Sequence, residues 1–370
     1  MKKKITYIIA NIDKAIAFEW VAEKLDKSKF ELSFILLNSS ESCLHNWLKE
    51  RKKESYIIQY QGKKDFLVTF FKLLKLLSRI NPNIVHTHLF DANLLGLLAA
   101  KLLGIKKRIY TRHHSTYHHD NFPQAVKYDK LCNYLATGIV AISQNVKQVL
   151  ANKEKVKENK IHLIHHGFDL DSFININRPH IDGLKSKYKI GPDNFPIIGV
   201  VSRYINWKGI QYIIPAFKKT LKKYPNAKLI LANARGPNKA SITEELKQLS
   251  KDSYIEIPFE SNLFALYKLF DVFVHVPINK EIEAFGQTYV ESLAAGVPSV
   301  FTLSGIASEF VQRKKNALVV EYENSEQIHD SIIQILANKK LTEKLIKNGR
   351  QSVNQYSLEI FIKKLEQLYV

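Results

Sequence analysis

Short runs of valine, isoleucine and leucine recur along this chain, each followed by a stretch with helical spacing. That alternation restricts the fold more than any other feature. In the N-terminal half the apolar runs are 5–10, 30–37, 84–88, 108–111, 138–142 and 161–164, with helical patterns at 15–25, 91–103 and 124–136. Continuous apolar runs of this kind read as strands buried on both faces, and strands that alternate with helices form a parallel sheet covered by helices. A polar stretch at 175–183, Asn-Ile-Asn-Arg-Pro-His-Ile-Asp-Gly, breaks the pattern and reads as an interdomain linker. The alternation restarts at Pro196-Ile-Ile-Gly-Val-Val-Ser-Arg203 and runs to about residue 337, and two helices follow at 341–351 and 358–369. The expected fold is α/β, with two Rossmann-like domains facing across a cleft. Their expected extents are 1–178 and 184–352, and a C-terminal helix in 353–370 is expected to pack back toward the first.

At 370 residues the chain is long enough for two full cores, and its 45% hydrophobic and 24% charged residues are those of a globular protein. No apolar run approaches the ~20 residues of a spanning helix. The basic start Met-Lys-Lys-Lys leads into an apolar run too short for a signal peptide, which reads as the first strand. Cys43 and Cys132 offer no disulfide framework and no metal spacing, and both are expected as buried thiols in a reducing cytosol. The net charge of +20 is uneven: residues 1–190 hold 32 basic and 17 acidic side chains, the remainder 23 and 18. A basic N-terminal half implies a polyanionic neighbour, an anionic membrane surface or a nucleic acid, unless lysine bias accounts for it. The segment 65–80 is very apolar with Lys72, Lys75 and Arg79 on part of its circumference, which suits a membrane interface or a helix packed on the sheet with a basic outer edge.

The chemistry concentrates in Glu283-Ala-Phe-Gly-Gln-Thr-Tyr-Val-Glu291. An apolar run ending at Pro277 precedes it and reads as a buried strand. Residues 287–295 have helical spacing, and Gly296 and Pro298 stop them. Glu283 therefore falls in a loop and Glu291 on a helix, about two turns in. Backbone amides at a helix N-terminus favour an anion, and glycine lets it approach. Either glutamate alone would be a solvated surface acid. Together with the flanking pattern they suggest a site for a phosphorylated ligand that also carries hydroxyls. A second element, Arg203-Tyr-Ile-Asn-Trp-Lys208-Gly209, puts two cations in a strand-to-helix loop, where they can neutralise a diphosphate.

Glu-x7-Glu followed by Ser-Leu-Ala-Ala-Gly-Val-Pro resembles the retaining nucleotide-sugar glycosyltransferases of family 4, and Arg203-x4-Lys208-Gly209 is similar to that family's basic element. The resemblance implies a GT-B fold of two Rossmann-like domains and a metal-independent, retaining sugar transfer without a cofactor. The donor would be a nucleotide-diphosphate sugar and the acceptor a glycan or lipid-linked molecule, in cell-surface polysaccharide, lipopolysaccharide or glycolipid synthesis. The setting would be the cytoplasm, peripheral to the inner face of the membrane. It assigns Arg203 and Lys208 to the diphosphate, Glu291 to the ribose hydroxyls and Glu283 to the transferred sugar. The Phe285-Gly286-Gln287-Thr288 backbone would meet sugar and phosphates, and the loop 257–260 the nucleobase. His113, with His114 as runner-up, fits the family histidine that reaches the sugar from the N-terminal domain; Val85-His86-Thr87-His88 would line the acceptor side. His165 and His166 read as structural.

His113, His114, His118 and His119 fall within seven positions, which raises zinc; no cysteine or acid completes a set at usual spacing, so no metal is expected. The sequence also departs from the family. The first βα loop, Ala10-Asn-Ile-Asp-Lys-Ala15, lacks the usual glycines, although Lys14 could supply charge. The loops at 232–236 and 304–307 are thinned of glycine. The rival readings are a sugar-nucleotide epimerase of the same fold, disfavoured by the Glu-x7-Glu element, and a nucleic-acid-binding protein, disfavoured by the absence of any recognised module.

Overall fold

The computed structural model describes residues 2–370. Contacts divide the chain into two compact units, 1–168 with 358–370, and 169–357. The first unit holds β1 (Lys3–Ala10), β2 (Phe30–Asn38), β3 (Ser55–Gln59), β4 (Ile84–His88), β5 (Lys107–Arg112), β6 (Gly138–Ala141) and β7 (Ile161–Leu163). They form one parallel sheet in the order β3-β2-β1-β4-β5-β6-β7. The second unit holds β8 (Ile197–Val201), β9 (Lys228–Ala232), β10 (Tyr254–Ile257), β11 (Val272–His275), β12 (Ser299–Phe301) and β13 (Leu318–Val319), parallel in the order β10-β9-β8-β11-β12-β13. Both sheets are Rossmann-like, and helices supply the connections between successive parallel strands.

The central strands are sealed on both faces, as their unbroken apolar runs require: every residue of β4, β6, β8 and β11 is buried. In each sheet the strand order reverses once, between β1 and β4 and between β8 and β11. Loops leave such a reversal in opposite directions and open a crevice at the carboxyl ends of the strands. The C-terminal helix Leu358–Tyr369 packs in the first unit, where the Tyr369 hydroxyl lies 2.5 Å from that of Tyr7 and 2.6 Å from His86 Nδ1.

Three expectations change. The polar stretch at 175–183 is not a linker but lies mostly in the helix Arg178–Lys187. Pro179 sits in its first turn, where the missing N–H costs nothing, and only Leu184 is buried, so the helix carries almost no apolar signal. The contacts also divide the chain at Phe168, ahead of the boundary placed at 178. Cys43 is exposed at the first turn of the helix Cys43–Glu50, while Cys132 is buried. Among the described residues no helix is long and apolar enough to cross a membrane.

Candidate functional site

In the second unit the predicted binding residues gather where β8 and β11 end. The loop after β8 carries Arg203, makes a short turn at Asn206–Lys208 and enters the helix Ile210–Lys223 through Gly209. Gly209 has φ +76°, and a Cβ there would meet the Val276 carbonyl oxygen at 2.0 Å, so only glycine lets this loop press against the end of β11. The Ile278 N–H donates to the Trp207 carbonyl at 3.1 Å and ties the two loops together.

Those contacts place Lys208 beside Glu283. The ammonium donates to Glu283 Oε2 at 2.5 Å and lies 4.4 Å from the centroid of the Trp207 ring. His275, the last residue of β11 and fully buried, brings Nε2 within 3.5 Å of the same carboxylate oxygen. Burial alone would raise the Glu283 carboxyl, but the Lys208 charge and the His275 contact bring it down to about 2. Glu283 is thus an ionised, 7% exposed carboxylate and not a solvated loop acid. Arg203 differs: its guanidinium is exposed and makes no hydrogen bond or ion pair among the described residues.

Glu283 leads into the helix Gln287–Ala295, whose N-cap is Gly286 in the left-handed region with no side-chain cap. The first amides of that helix are therefore left for a ligand or water. Phe285 is buried, Gln287 exposed, and the Thr288 hydroxyl oxygen is buried without a hydrogen-bond partner among the described residues. Gly305, at φ +54°, backs the loop: a Cβ there would meet the Phe285 and Glu283 carbonyl oxygens at 2.8 and 2.9 Å. In a segment otherwise thinned of glycine, this one remains where contact requires it.

Glu291 stands little more than one turn into the helix and is also 7% exposed. The Tyr267 hydroxyl donates to its Oε2 at 2.8 Å. Burial pushes the Glu291 carboxyl up to about 7, and Tyr267 opposes that only in part. Two glutamates of one loop and helix thus sit in opposite electrostatic states, one paired with the Lys208 ammonium and one desolvated. Sequence reading missed both His275 and Tyr267; the lone histidine within the apolar run that ends at Pro277 was the available signal for the first. Glu260, in the loop expected at the nucleobase, is already committed, accepting from Lys187 at 2.7 Å, Tyr188 at 2.5 Å and the Asn262 N–H at 2.9 Å.

In the first unit the histidines gather at the carboxyl edge of the sheet. His86 Nε2 lies 2.8 Å from Thr111 Oγ1, His88 Nδ1 lies 3.2 Å from His113 Nε2, and the His113 ring stacks on His166 at 5.7 Å. Burial holds His113 and His88 well below the usual imidazole range, so both are neutral. His114 turns the other way, toward Asp129. The glycine-poor first βα loop is held by Asp13, which accepts from the Cys43 N–H at 3.0 Å, and Lys14 is exposed beside it.

Comparison with known proteins gives these arrangements a context. A family model described as "Glycosyl transferases group 1" matches residues 185–352, and one described as "Glycosyltransferase Family 4" matches 21–172. The capsular polysaccharide biosynthesis glycosyltransferase CapM of Staphylococcus aureus is 30% identical over 311 residues, 82% of this chain and 80% of that protein. The alpha-monoglucosyldiacylglycerol synthase of Acholeplasma laidlawii is 26% identical over 340 residues, 85% of this chain and 82% of that protein. Among solved structures, Anabaena HepE in complex with UDP and glucose superposes with a TM-score of 0.84 at 17% identity, over 99% of each chain.

Proposed function

The chain belongs to the group 1 glycosyl transferases of glycosyltransferase family 4, and from that premise we propose that it moves a sugar from a nucleotide-diphosphate donor, with retention of configuration, to a glycan or lipid-linked acceptor. One observation carries the donor assignment: a guanidinium with no hydrogen bond or ion pair among the described residues, a half-buried lysine on a buried glutamate, and a helix N-terminus without a side-chain cap occur together at the switch point of the second unit. A diphosphate suits that set. Arg203 can bind it in a fork, Lys208 adds charge, and the amides after Gly286 supply fixed dipoles.

Departure of the diphosphate is the difficult part of the reaction, since charge builds on its oxygens as the sugar becomes oxocarbenium-like. Arg203, Lys208 and the helix terminus are already oriented toward charge of that sign, which lowers the barrier without reorganisation. They do the work that a divalent metal performs elsewhere, so donor binding at this site is read as metal-independent. Glu283, ionised, accepts hydroxyl donors of the transferred sugar. Glu291 accepts those of the ribose. No residue is assigned as a nucleophile; attack on the face from which the diphosphate leaves would preserve configuration. His113 is proposed as the catalytic histidine of the first unit on the family pattern alone.

The relatives support the acceptor class: one is named for capsular polysaccharide biosynthesis and the other for a diacylglycerol product. A cytoplasmic enzyme peripheral to an anionic membrane, serving polysaccharide, lipopolysaccharide or glycolipid synthesis, fits that pair and the basic N-terminal half. The test is turnover with a panel of nucleotide-diphosphate sugars, reading acceptor-dependent nucleotide release and the anomeric configuration of the product by NMR. Glycosylated acceptor with the donor's configuration is expected. An inverted product, or epimerised donor with no acceptor consumed, would overturn the reading.

A further inference from the structure

The loop after β5, the short helix Tyr117–Asn121 and the helix Val126–Leu135 bring together three metal-ligating atoms that the donor site does not use. His118 Nδ1 lies 2.7 Å and His114 Nε2 3.3 Å from one oxygen, Oδ2 of Asp129. All three ligand atoms fall within 4.8 Å of one another. We propose that His114, His118 and Asp129 bind a divalent transition-metal ion, zinc by preference, with water completing the coordination.

The first argument is geometric. Ligand atoms around tetrahedral zinc stand ~3.3 Å apart, given bonds of ~2.0–2.1 Å. The His114–Asp129 separation already has that value, and a small outward movement of His118 would give the other. Two imidazoles and a carboxylate oxygen are a donor set that zinc takes readily.

The second argument concerns charge. Arg112 is 1% exposed and meets two buried carboxylates, Asp129 Oδ1 at 3.2 Å and Glu154 Oε1 at 2.5 Å. Arg112 with Asp129 and Glu154 therefore leaves an excess negative charge in a desolvated place, which is costly unless a cation joins it. A metal ion bound to Asp129 would be that cation.

The outer partners favour the metal. Arg112 holds Oδ1 of Asp129 and so aims Oδ2 at the two histidines, and its Nε donates to the His114 carbonyl at 3.1 Å. Glu154 is fixed in turn by the Asn133 amide at 2.6 Å and by His119 Nε2 at 3.2 Å. Outer contacts of this sort orient ligands and are part of real sites. The His114 and His118 side chains are 21% and 13% exposed, which leaves an entry path. An ion here would pin the segment that carries His113 to the helix Val126–Leu135. It is a positioning device, separate from donor binding in the second unit.

The experiment uses full-length protein made without a histidine tag and stripped with a chelator. Titration with Zn²⁺ against a chromophoric chelator should show one ion per chain, and Co²⁺ should give the intense visible bands of a four-coordinate site. His118→Gln and His114→Gln, which keep a donor toward Asp129, should weaken Zn²⁺ binding at least about tenfold with the circular dichroism spectrum unchanged. UDP affinity, read on the same samples, should not move, which keeps this proposal distinct from the donor assignment. Absence of stoichiometric Zn²⁺ binding would overturn it. Binding that survives both substitutions would overturn it as well.

Discussion

Glu291 is held in a state that the fold would be more stable without. An unfolded glutamate titrates near 4.5, and this one titrates near 7. Below the lower value the group is protonated in both states and costs nothing. As pH rises from there to about 7 the unfolded chain gives up the proton first, and stability falls. Above the folded value the penalty is complete, on the order of 3 kcal/mol. Glu283 has the opposite sign: its contribution is present above 4.5 and is lost as pH falls toward 2. Glu291→Gln should therefore raise the melting temperature relative to wild type at about pH 8 and not at about pH 4. The same variant should bind UDP more weakly by ~1.5–3 kcal/mol, the scale of a charged hydrogen bond. Scanning calorimetry at the two pH values checks the first part; unchanged stability at high pH would mean that Glu291 is not desolvated as described. At this scale the sequence identified both glutamates through their flanking pattern. It did not identify Asp129, because that acid lies on the next helix and local spacing around His114 and His118 cannot reveal it.

The helix Phe66–Ile80 shows what an element can reveal that a pattern cannot. Thr69, Leu73 and Leu77 face the interior, which satisfies the bland reading of a helix packed on the sheet. Yet Leu67, Val68 and Phe71 are 57–69% exposed, beside exposed Lys72, Lys75 and Arg79. A second apolar face rimmed by cations has the pattern of an interfacial helix, and it is the surface that the proposed membrane association would use. Each cation near anionic lipid contributes about 1 kcal/mol, so a few acting together give reversible binding. Vesicle flotation should recover the protein with anionic lipid at low salt and lose it at 1 M, where the Debye length is ~3 Å. Replacing Lys72, Lys75 and Arg79 by Glu should reduce recovery. Equal recovery on neutral and anionic vesicles, or none on either, would contradict the assignment. Other elements escaped sequence reading for physical reasons. β3 is an edge strand with one buried residue, Ile58, and the helix Arg178–Lys187 buries only Leu184, so neither presents the apolar period that marks the rest.

At the scale of the molecule the two doubly wound sheets were legible because parallel strands sealed on both faces must be written as apolar runs. The C-terminal helix was legible from its amphipathic spacing. The residues of the proposed donor site lie in two short stretches of sequence, and the fold brings those stretches together where β8 and β11 end. The pairing of Glu283 with Lys208 and His275 was not legible, since it depends on how tightly the loops after β8 and β11 approach through Gly209. That pairing also separates the two cations. Lys208→Ala would take the neighbouring cation from the buried Glu283, whereas Arg203 is exposed and its guanidinium has no hydrogen bond or ion pair among the described residues, so its removal should not disturb the fold. Calorimetric titration of UDP into wild type and Arg203→Ala, in excess EDTA and again in Mg²⁺, therefore tests the central claim most directly. We expect the same wild-type affinity in both buffers, and a loss of ~1.5–3 kcal/mol in Arg203→Ala without a change in melting temperature. Wild-type affinity in Arg203→Ala, or UDP binding that appears only with Mg²⁺, would contradict the account.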